Sequence, residues 1–111
     1  MVKYRAPHEL DAVFGALSDP LRRQLIDELR QGDRTVSQLH ATTDVSLVAV
    51  LKHIEVMEGA GLIQTDKRGR SRLCRFRPEG LAVAETWLAA TRSFWTQALL
   101  QLDDHLKEDN S

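Results

Sequence analysis

The chain is poor in cysteine, proline and aromatic residues. Its 111 residues include one cysteine, Cys74, three prolines and 5% aromatics. A lone cysteine excludes an intrachain disulfide and any structural zinc site that takes two or more thiolates from one chain. With so few aromatic side chains, the core is expected to be aliphatic. No apolar run approaches the roughly 20 residues of a membrane span, and the N-terminus lacks a signal-peptide pattern, so a cytoplasmic protein without membrane association is expected.

Length and composition predict one small domain over residues 1–111. The chain is 42% hydrophobic and 28% charged, which is ordinary for a globular domain. An aliphatic core of this size is marginal, and a helical chain would gain stability by sharing it with a second copy. We see no nucleophile with a nearby base, no phosphate-binding glycine loop and no paired carboxylates, so neither enzyme activity nor a cofactor is predicted.

The near-neutral charge conceals a strong asymmetry along the chain. The formal net charge is −1, yet residues 49–77 hold seven Lys/Arg and three Asp/Glu, giving +4. Residues 79–111 hold two Lys/Arg and six Asp/Glu, giving −4. The asymmetry indicates that the basic middle segment faces a partner of its own.

Apolar spacing and capping residues predict five helices. Asp19 before Pro20, the Thr35/Gln38 capping box and Ser46 mark three helix starts. The predicted limits of the five helices are 8–17, 20–30, 35–41, 46–59 and 79–106. The last helix carries an apolar stripe and is longer than the rest of the domain can cover, so the stripe requires a partner.

Between the fourth and fifth helices the periodicity changes to that of a β-hairpin. Residues 62–67 and 72–77 are short extended runs, and Gly69 supplies the turn between them. Cys74 and Phe76 share one face of the second run. The basic residues at or near the hairpin tip are Lys67, Arg68, Arg70 and Arg72.

This order of elements predicts a winged helix-turn-helix, mainly α with a small β-hairpin. Residues 35–60 form the helix-turn-helix, and residues 62–77 form the wing. The helix that begins at Ser46 would enter a DNA major groove with its N-terminal residues on base edges, while the wing tip would reach phosphates or the minor groove. Double-stranded DNA is the predicted partner.

Four segments resemble the ArsR-type winged-helix transcriptional repressors, over about residues 9–106. They are LSDPLRRQLIDELRQGDRTVSQL (17–39), SLVAVLKHIEVMEGAGLI (46–63), KRGRSRLCRFRPEGL (67–81) and WLAATRSFWTQALLQLDDHL (87–106). The last is similar to a subgroup whose long C-terminal helix bears a Phe-Trp pair. The resemblance implies a homodimer, packed through the first and last helices, that represses transcription from a palindromic operator, including that of its own gene.

The recognition helix matches the family pattern only in part. Ser46, Lys52 and His53 match, but Leu47 and Val48 stand where the family often has Gln-Pro. Without a Gln amide, base reading is expected to rest on apolar contact with thymine methyls and on DNA shape. The DNA-contacting residues expected on this helix are Ser46, Leu47, Val48, Ala49, Leu51, Lys52 and His53.

Ser46 and His53 on the recognition helix each have more than one expected role. Ser46 is a helix cap and, by resemblance, also a phosphate contact, and His53 is either a hydrogen-bonded structural residue or a DNA contact. Glu55, where the family often has a base, would repel phosphate. This departure favours an alternative, a winged-helix protein-interaction module that does not bind DNA.

Dimer-interface residues are expected on the first and last helices. Trp87, Phe94 and Trp95 would pack in this interface, or alternatively line a pocket for an effector that the sequence does not identify. The predicted interface residues are Leu10, Phe14, Trp87, Thr91, Phe94, Trp95, Ala98 and Leu102.

The metal-sensing patterns of the family are missing. Residues 36–41 contain no Cys-x-Cys, and Asp103, Asp104 and His105 lie within one helical turn without a second histidine. No metal site is predicted, although a metal-responsive repressor with an unrecognised site is a further alternative. Cys74 is expected to be a small buried hydrophobic residue rather than a redox sensor.

Overall fold

The computed structural model describes residues 2–109, with side chains described from residue 9 to residue 108. Within this part the chain forms five α-helices, three strands and one 3-10 turn. The elements are α1 (Val2–Leu17), α2 (Pro20–Arg30), β1 (Arg34–Thr35), α3 (Val36–His40), α4 (Leu47–Gly59), β2 (Ile63–Arg68), β3 (Ser71–Phe76), the 3-10 turn Pro78–Leu81 and α5 (Ala82–Asp109).

The three capping predictions are confirmed. Asp19 Oδ1 accepts hydrogen bonds from the backbone N–H groups of Leu21 at 2.8 Å and Arg22 at 3.2 Å. These bonds, that from Arg22 foremost, hold the pKa of the Asp19 carboxyl below its usual value. Thr35 forms the capping box with Gln38, and Ser46 Oγ accepts from the N–H of the third residue of α4 at 3.1 Å. Each helix start is therefore set by a side chain that satisfies an otherwise unpaired N–H group.

The hairpin is part of a three-stranded antiparallel sheet in the order β1-β3-β2. The prediction had two strands and missed β1, which pairs Arg34 with Cys74. The two hairpin strands are joined by a two-residue loop, because Arg68 and Ser71 already pair. Gly69, the first loop residue, has φ +62°, the conformation that a type II′ turn requires at this position.

The core is aliphatic, as predicted. Within the described part of the chain, every fully buried side chain is aliphatic except a methionine, Met57, and the free cysteine, Cys74. Phe76 packs against the edge of this core, beside Cys74 on the same strand face. The core residues are Val13, Ala16, Leu25, Ile26, Leu29, Val36, Leu39, Val50, Ile54, Met57, Leu62, Ile63, Cys74 and Ala84.

The outer helices differ from their predicted limits. α1 starts at Val2 rather than at residue 8, and the residues after Pro78 form a 3-10 turn before α5 begins at Ala82. With 28 residues, α5 is about 42 Å long. The radius of gyration is 19.7 Å, against about 13 Å for a compact chain of this length, because the long helices extend beyond the core.

Within residues 2–109, no helix combines the length and the apolar character that crossing a membrane requires. The fold class, mainly α with a small sheet and a winged helix-turn-helix order of elements, is as predicted apart from the added strand.

Candidate nucleic-acid interface

The turn between α3 and α4 is held by local hydrogen bonds. Thr42 Oγ1 donates to the carbonyl of Leu39 at 2.7 Å, and Thr43 Oγ1 donates to the carbonyl of His40 at 2.9 Å. The ring of His40 meets the carbonyl of Val45 at 3.0 Å through Nε2. Because a carbonyl only accepts, Nε2 carries the proton and donates. These contacts fix the relative position of the two helices of the helix-turn-helix.

Helix α4 divides into a buried and an exposed face. Val50, Ile54 and Met57 lie in the core, at 0–1% exposure. Lys52, two residues after Val50, is exposed on the opposite side. The first two turns therefore present a surface to solvent.

That surface is unusually apolar for a solvent-facing helix end. Leu47 is 46% exposed, Val48 61% and Leu51 39%. Ala49 is half-buried. Apolar side chains at the tip of a recognition helix can contact the methyl group of thymine but cannot hydrogen-bond a base edge.

The hairpin carries two kinds of arginine. At its base, Arg75 pairs with Asp33 at 3.1 Å and Arg77 pairs with Glu79 at 2.8 Å. Hydrogen bonding to Asp33 raises the pKa of Arg75, and the hydrogen bond from Arg77 lowers the pKa of Glu79. The residues at the tip are exposed, and no side chain among residues 9–108 forms an ion pair with them. These tip residues are Lys67, Arg68, Arg70 and Arg72.

A shallow groove of about 230 Å³ joins the wing to the recognition helix. Its walls come from α4, from the start of α3 and from the hairpin, so these three elements form one surface. Sequence reasoning missed the contribution of the α3 start, since a groove wall has no signature in sequence spacing. The lining residues are Thr35, Val36, Ser37, Leu47, Leu51, Arg70, Ser71 and Arg72.

The two residues with open roles have defined partners. Ser46 Oγ accepts the N–H of Ala49 and is exposed, so its hydroxyl proton stays available to a further acceptor. His53 is half-buried, and its Nδ1 lies 3.0 Å from Arg22 Nη1. This contact with Arg22 supports the structural role considered for His53, and sequence spacing did not indicate it. Glu55 is exposed on α4.

The predicted interface residues lie along α1 and α5. Leu10 packs against the edge of the core, and Phe14 meets Trp87 edge-on with ring centroids 5.9 Å apart. Phe94 and Trp95 are 68% and 60% exposed. The remaining three are half-exposed or half-buried: Leu102 is 54% exposed, and Thr91 and Ala98 are half-buried.

The metal-ligating and thiol side chains were the candidates for sensing a metal or a redox signal. Among them, no three His, Cys, Asp or Glu side chains lie where they could share a metal ion. Cys74 is fully buried, and burial raises the pKa of its thiol to about 11. A protonated, inaccessible thiol is a poor redox sensor.

Comparison with known proteins agrees with this geometry. A family model described as a helix-turn-helix domain matches residues 17–66. The chain is 35% identical over 99 residues to the HTH-type transcriptional regulator Rv2034 of Mycobacterium tuberculosis, covering 89% of this chain and 87% of that protein. It is 30% identical over 61 residues to the transcriptional repressor SdpR of Bacillus subtilis, covering 55% of this chain and 68% of that protein.

Similarity to a solved structure shows which family of helix-turn-helix regulators the chain belongs to. The crystal structure of an ArsR family transcriptional regulator aligns with a TM-score of 0.78 and 39% sequence identity, covering 81% of this chain and 93% of that one. Fold and relatives define a DNA-binding transcriptional regulator of the helix-turn-helix type. The chain belongs to the ArsR family of these regulators.

Proposed function

We propose that this protein is a homodimeric repressor that binds a palindromic operator with α4 and the hairpin of each protomer. The observation that carries the proposal is the shared surface around the groove: the exposed end of α4 and the unpaired basic tip of the wing face the same side. In this arrangement α4 lies in the major groove while the tip reaches the flanking backbone.

Base recognition in this proposal rests on apolar contacts. Leu47, Val48 and Leu51 lie exposed where the base edges would be, and Lys52 is the exposed cation beside them. Half-sites with thymine methyls at these positions are therefore favoured, and Lys52 supplies a contact to phosphate or to an acceptor on guanine. Ser46 and Ala49 lie at the same helix end, and His53 follows Lys52.

The dimer interface in this proposal is the apolar stripe of α5 together with α1. Seven large apolar side chains on one side of α5, a set that leaves out Leu100, are 47–68% exposed, an amount that a monomer rarely leaves in water. A second copy covers this stripe, which lies on a different element from the DNA surface. The acidic side chains of residues 79–108 are then held in the interface region rather than against DNA.

In this proposal repression follows from occupancy of the operator by the dimer. SdpR, a relative that bears the name of repressor, supports this reading. We further propose that the protein acts in the cytoplasm and is not an enzyme, as is typical of regulators of this family, and that residues 1–111 form one domain.

The test is binding to DNA selected from a pool of palindromes with randomised half-sites. The wild-type protein should bind the selected duplex with an affinity that falls steeply with salt, because phosphate contacts release counterions. Lys52→Ala should weaken binding about tenfold, the scale of one good polar contact to DNA. Lys107→Ala, the same change in a lysine paired with Asp103 on α5, is the matched control and should bind as wild type.

Replacing thymine by uracil in the selected half-sites removes only methyl groups. The affinity should fall by a few fold at each contacted position, and Val48→Ser should be insensitive to the replacement. A protein that selects no duplex, or whose affinity does not change with salt, would instead be a protein-interaction module.

A further inference from the structure

One side chain links three helices of the domain. Arg22, in the first turn of α2, donates from Nε to the carbonyl of Ala16 at 2.8 Å and from Nη2 to the carbonyl of Gly15 at 3.1 Å. Both carbonyls belong to the last turn of α1. The carbonyl of Ala16 would need an N–H from Pro20, which has none, and the carbonyl of Gly15 also accepts from the N–H and the hydroxyl of Ser18. The guanidinium thus caps the negative end of the α1 dipole.

The third contact of Arg22 reaches the recognition helix. Its Nη1 lies 3.0 Å from His53 Nδ1 on α4. A guanidinium has donors and no acceptor, so Nδ1 must be unprotonated and the ring proton must sit on Nε2. The contact therefore fixes both the orientation and the tautomer of His53.

From this geometry we infer that Arg22 is a positioning residue for DNA binding: it holds the recognition helix α4 at a set angle to the dimerisation helix α1. The inference rests on the proposed function in that α1 is part of the dimer interface. The distance between the two recognition helices of a dimer then depends on the Arg22–His53 contact.

A small tilt of α4 would displace its N-terminal end by a distance comparable to the spacing of base pairs. The C-terminal end of α4 is held in the core, where Met57 is fully buried and its carbonyl accepts from the N–H of the fully buried Leu62 at 3.0 Å. Leu47 lies ten residues before Met57, about 15 Å along the helix axis, so a tilt of about 10° displaces it by roughly 2.6 Å. Opposed displacements in two protomers sum to about 5 Å, more than the rise of about 3.4 Å per base pair.

The first experiment measures the angle directly. Nitroxide labels are attached to Asp11→Cys on α1 and Val48→Cys on α4, both at exposed positions, while Cys74 is buried and stays unlabelled. Labelled chains are diluted with unlabelled ones, so that the distance within one protomer is read. His53→Leu should broaden the distance distribution or shift its mean by about 2 Å or more, the displacement expected from the tilt.

His53→Asn is the matched control, because its Oδ1 can take the place of Nδ1 as the acceptor for Arg22, and its distribution should match that of the wild type. His53 is only half-buried, so His53→Leu is expected to fold. Arg22→Gln removes the same contact from the other side and is the second variant. Unchanged distances in both His53→Leu and Arg22→Gln would overturn the inference.

The second experiment reads the consequence on DNA. Duplexes carrying the half-sites selected by the wild-type protein are rebuilt with the spacer one base pair longer or shorter. Wild type and His53→Asn should lose about tenfold in affinity for each altered spacer, because both recognition helices must reach successive grooves together.

His53→Leu should discriminate between spacers by less than about threefold, since its half-site separation is no longer fixed. A mere loss of stability would lower affinity for all spacers alike and leave the discrimination unchanged. Undiminished spacer discrimination in His53→Leu would refute the positioning role. A wild-type protein that binds no duplex would refute the proposed function, while the label distances would still decide the role of Arg22.

Discussion

Neutralising the wing tip should flatten the salt dependence of DNA binding. The change is Arg68→Gln with Arg70→Gln, two exposed cations that no described side chain pairs with. A dimer presents two wings, so up to four phosphate contacts are lost, and the slope of log affinity against log salt should become shallower by about 3 to 4. Between about 50 and about 200 mM salt, the wild type should therefore lose about a hundredfold more affinity than the variant. Fluorescence anisotropy over a salt series measures both slopes.

The matched control removes the same charge from the base of the same hairpin. Arg75→Gln with Arg77→Gln also deletes two cations per protomer, but both arginines are engaged by Asp33 and Glu79. The control should lower affinity slightly and leave the slope near that of the wild type. The reasoning fails if the tip variant keeps the wild-type slope, or if the base variant flattens it to the same degree.

Three further experiments test the dimer interface, the close approach of Gly80 to Gly61 and the burial of Cys74. Trp95→Asp should yield monomers in analytical ultracentrifugation. Leu100→Asp is the control, because Leu100 has the same 60% exposure but lies about 140° around the helix, and it should leave the dimer intact. If the Trp95→Asp variant is still a dimer, the interface lies elsewhere. Gly80→Ala should destabilise the protein by about 1–3 kcal/mol in urea unfolding at matched concentration, because its Cβ would lie 2.0 Å from the carbonyl oxygen of Gly61. Gly59→Ala meets open space and should be neutral or stabilising by up to about 1 kcal/mol, and equal stability of the two variants would contradict the close approach. Since burial raises the pKa of the Cys74 thiol from 9.0 to about 11, the unfolded chain releases this proton first and stability should fall as pH rises through this range. Alkylation of native protein at pH 8 that matches the rate in denaturant would show that Cys74 is accessible.

The elements that could be predicted from sequence are those specified within a few residues. Helix starts at Pro20, Val36 and Leu47 follow from caps whose donor and acceptor lie two or three residues apart. The hairpin follows from a glycine between two alternating runs. The predicted positions of Lys52 and the four tip cations depend on the same local periodicity, and for this reason the candidate DNA surface could be predicted from the sequence.

Contacts between distant parts of the chain could not be predicted from the spacing of residues in the sequence. Strand β1 is two residues long and exists only because β3 pairs with it, forty residues further along. Nothing in sequence spacing separates Arg75, which pairs with Asp33, from Arg70, which stays unpaired.

The order of the elements, the aliphatic core and the basic wing could be inferred from the amino-acid sequence, since they depend on local periodicity, on capping and on composition. The fold was needed to see which cations remain available to DNA, which groove joins wing and recognition helix, and that Arg22 reaches His53 from 31 residues away. Hydrogen bonds and ion pairs form between atoms a few ångströms apart in space, and separation along the chain does not report that distance.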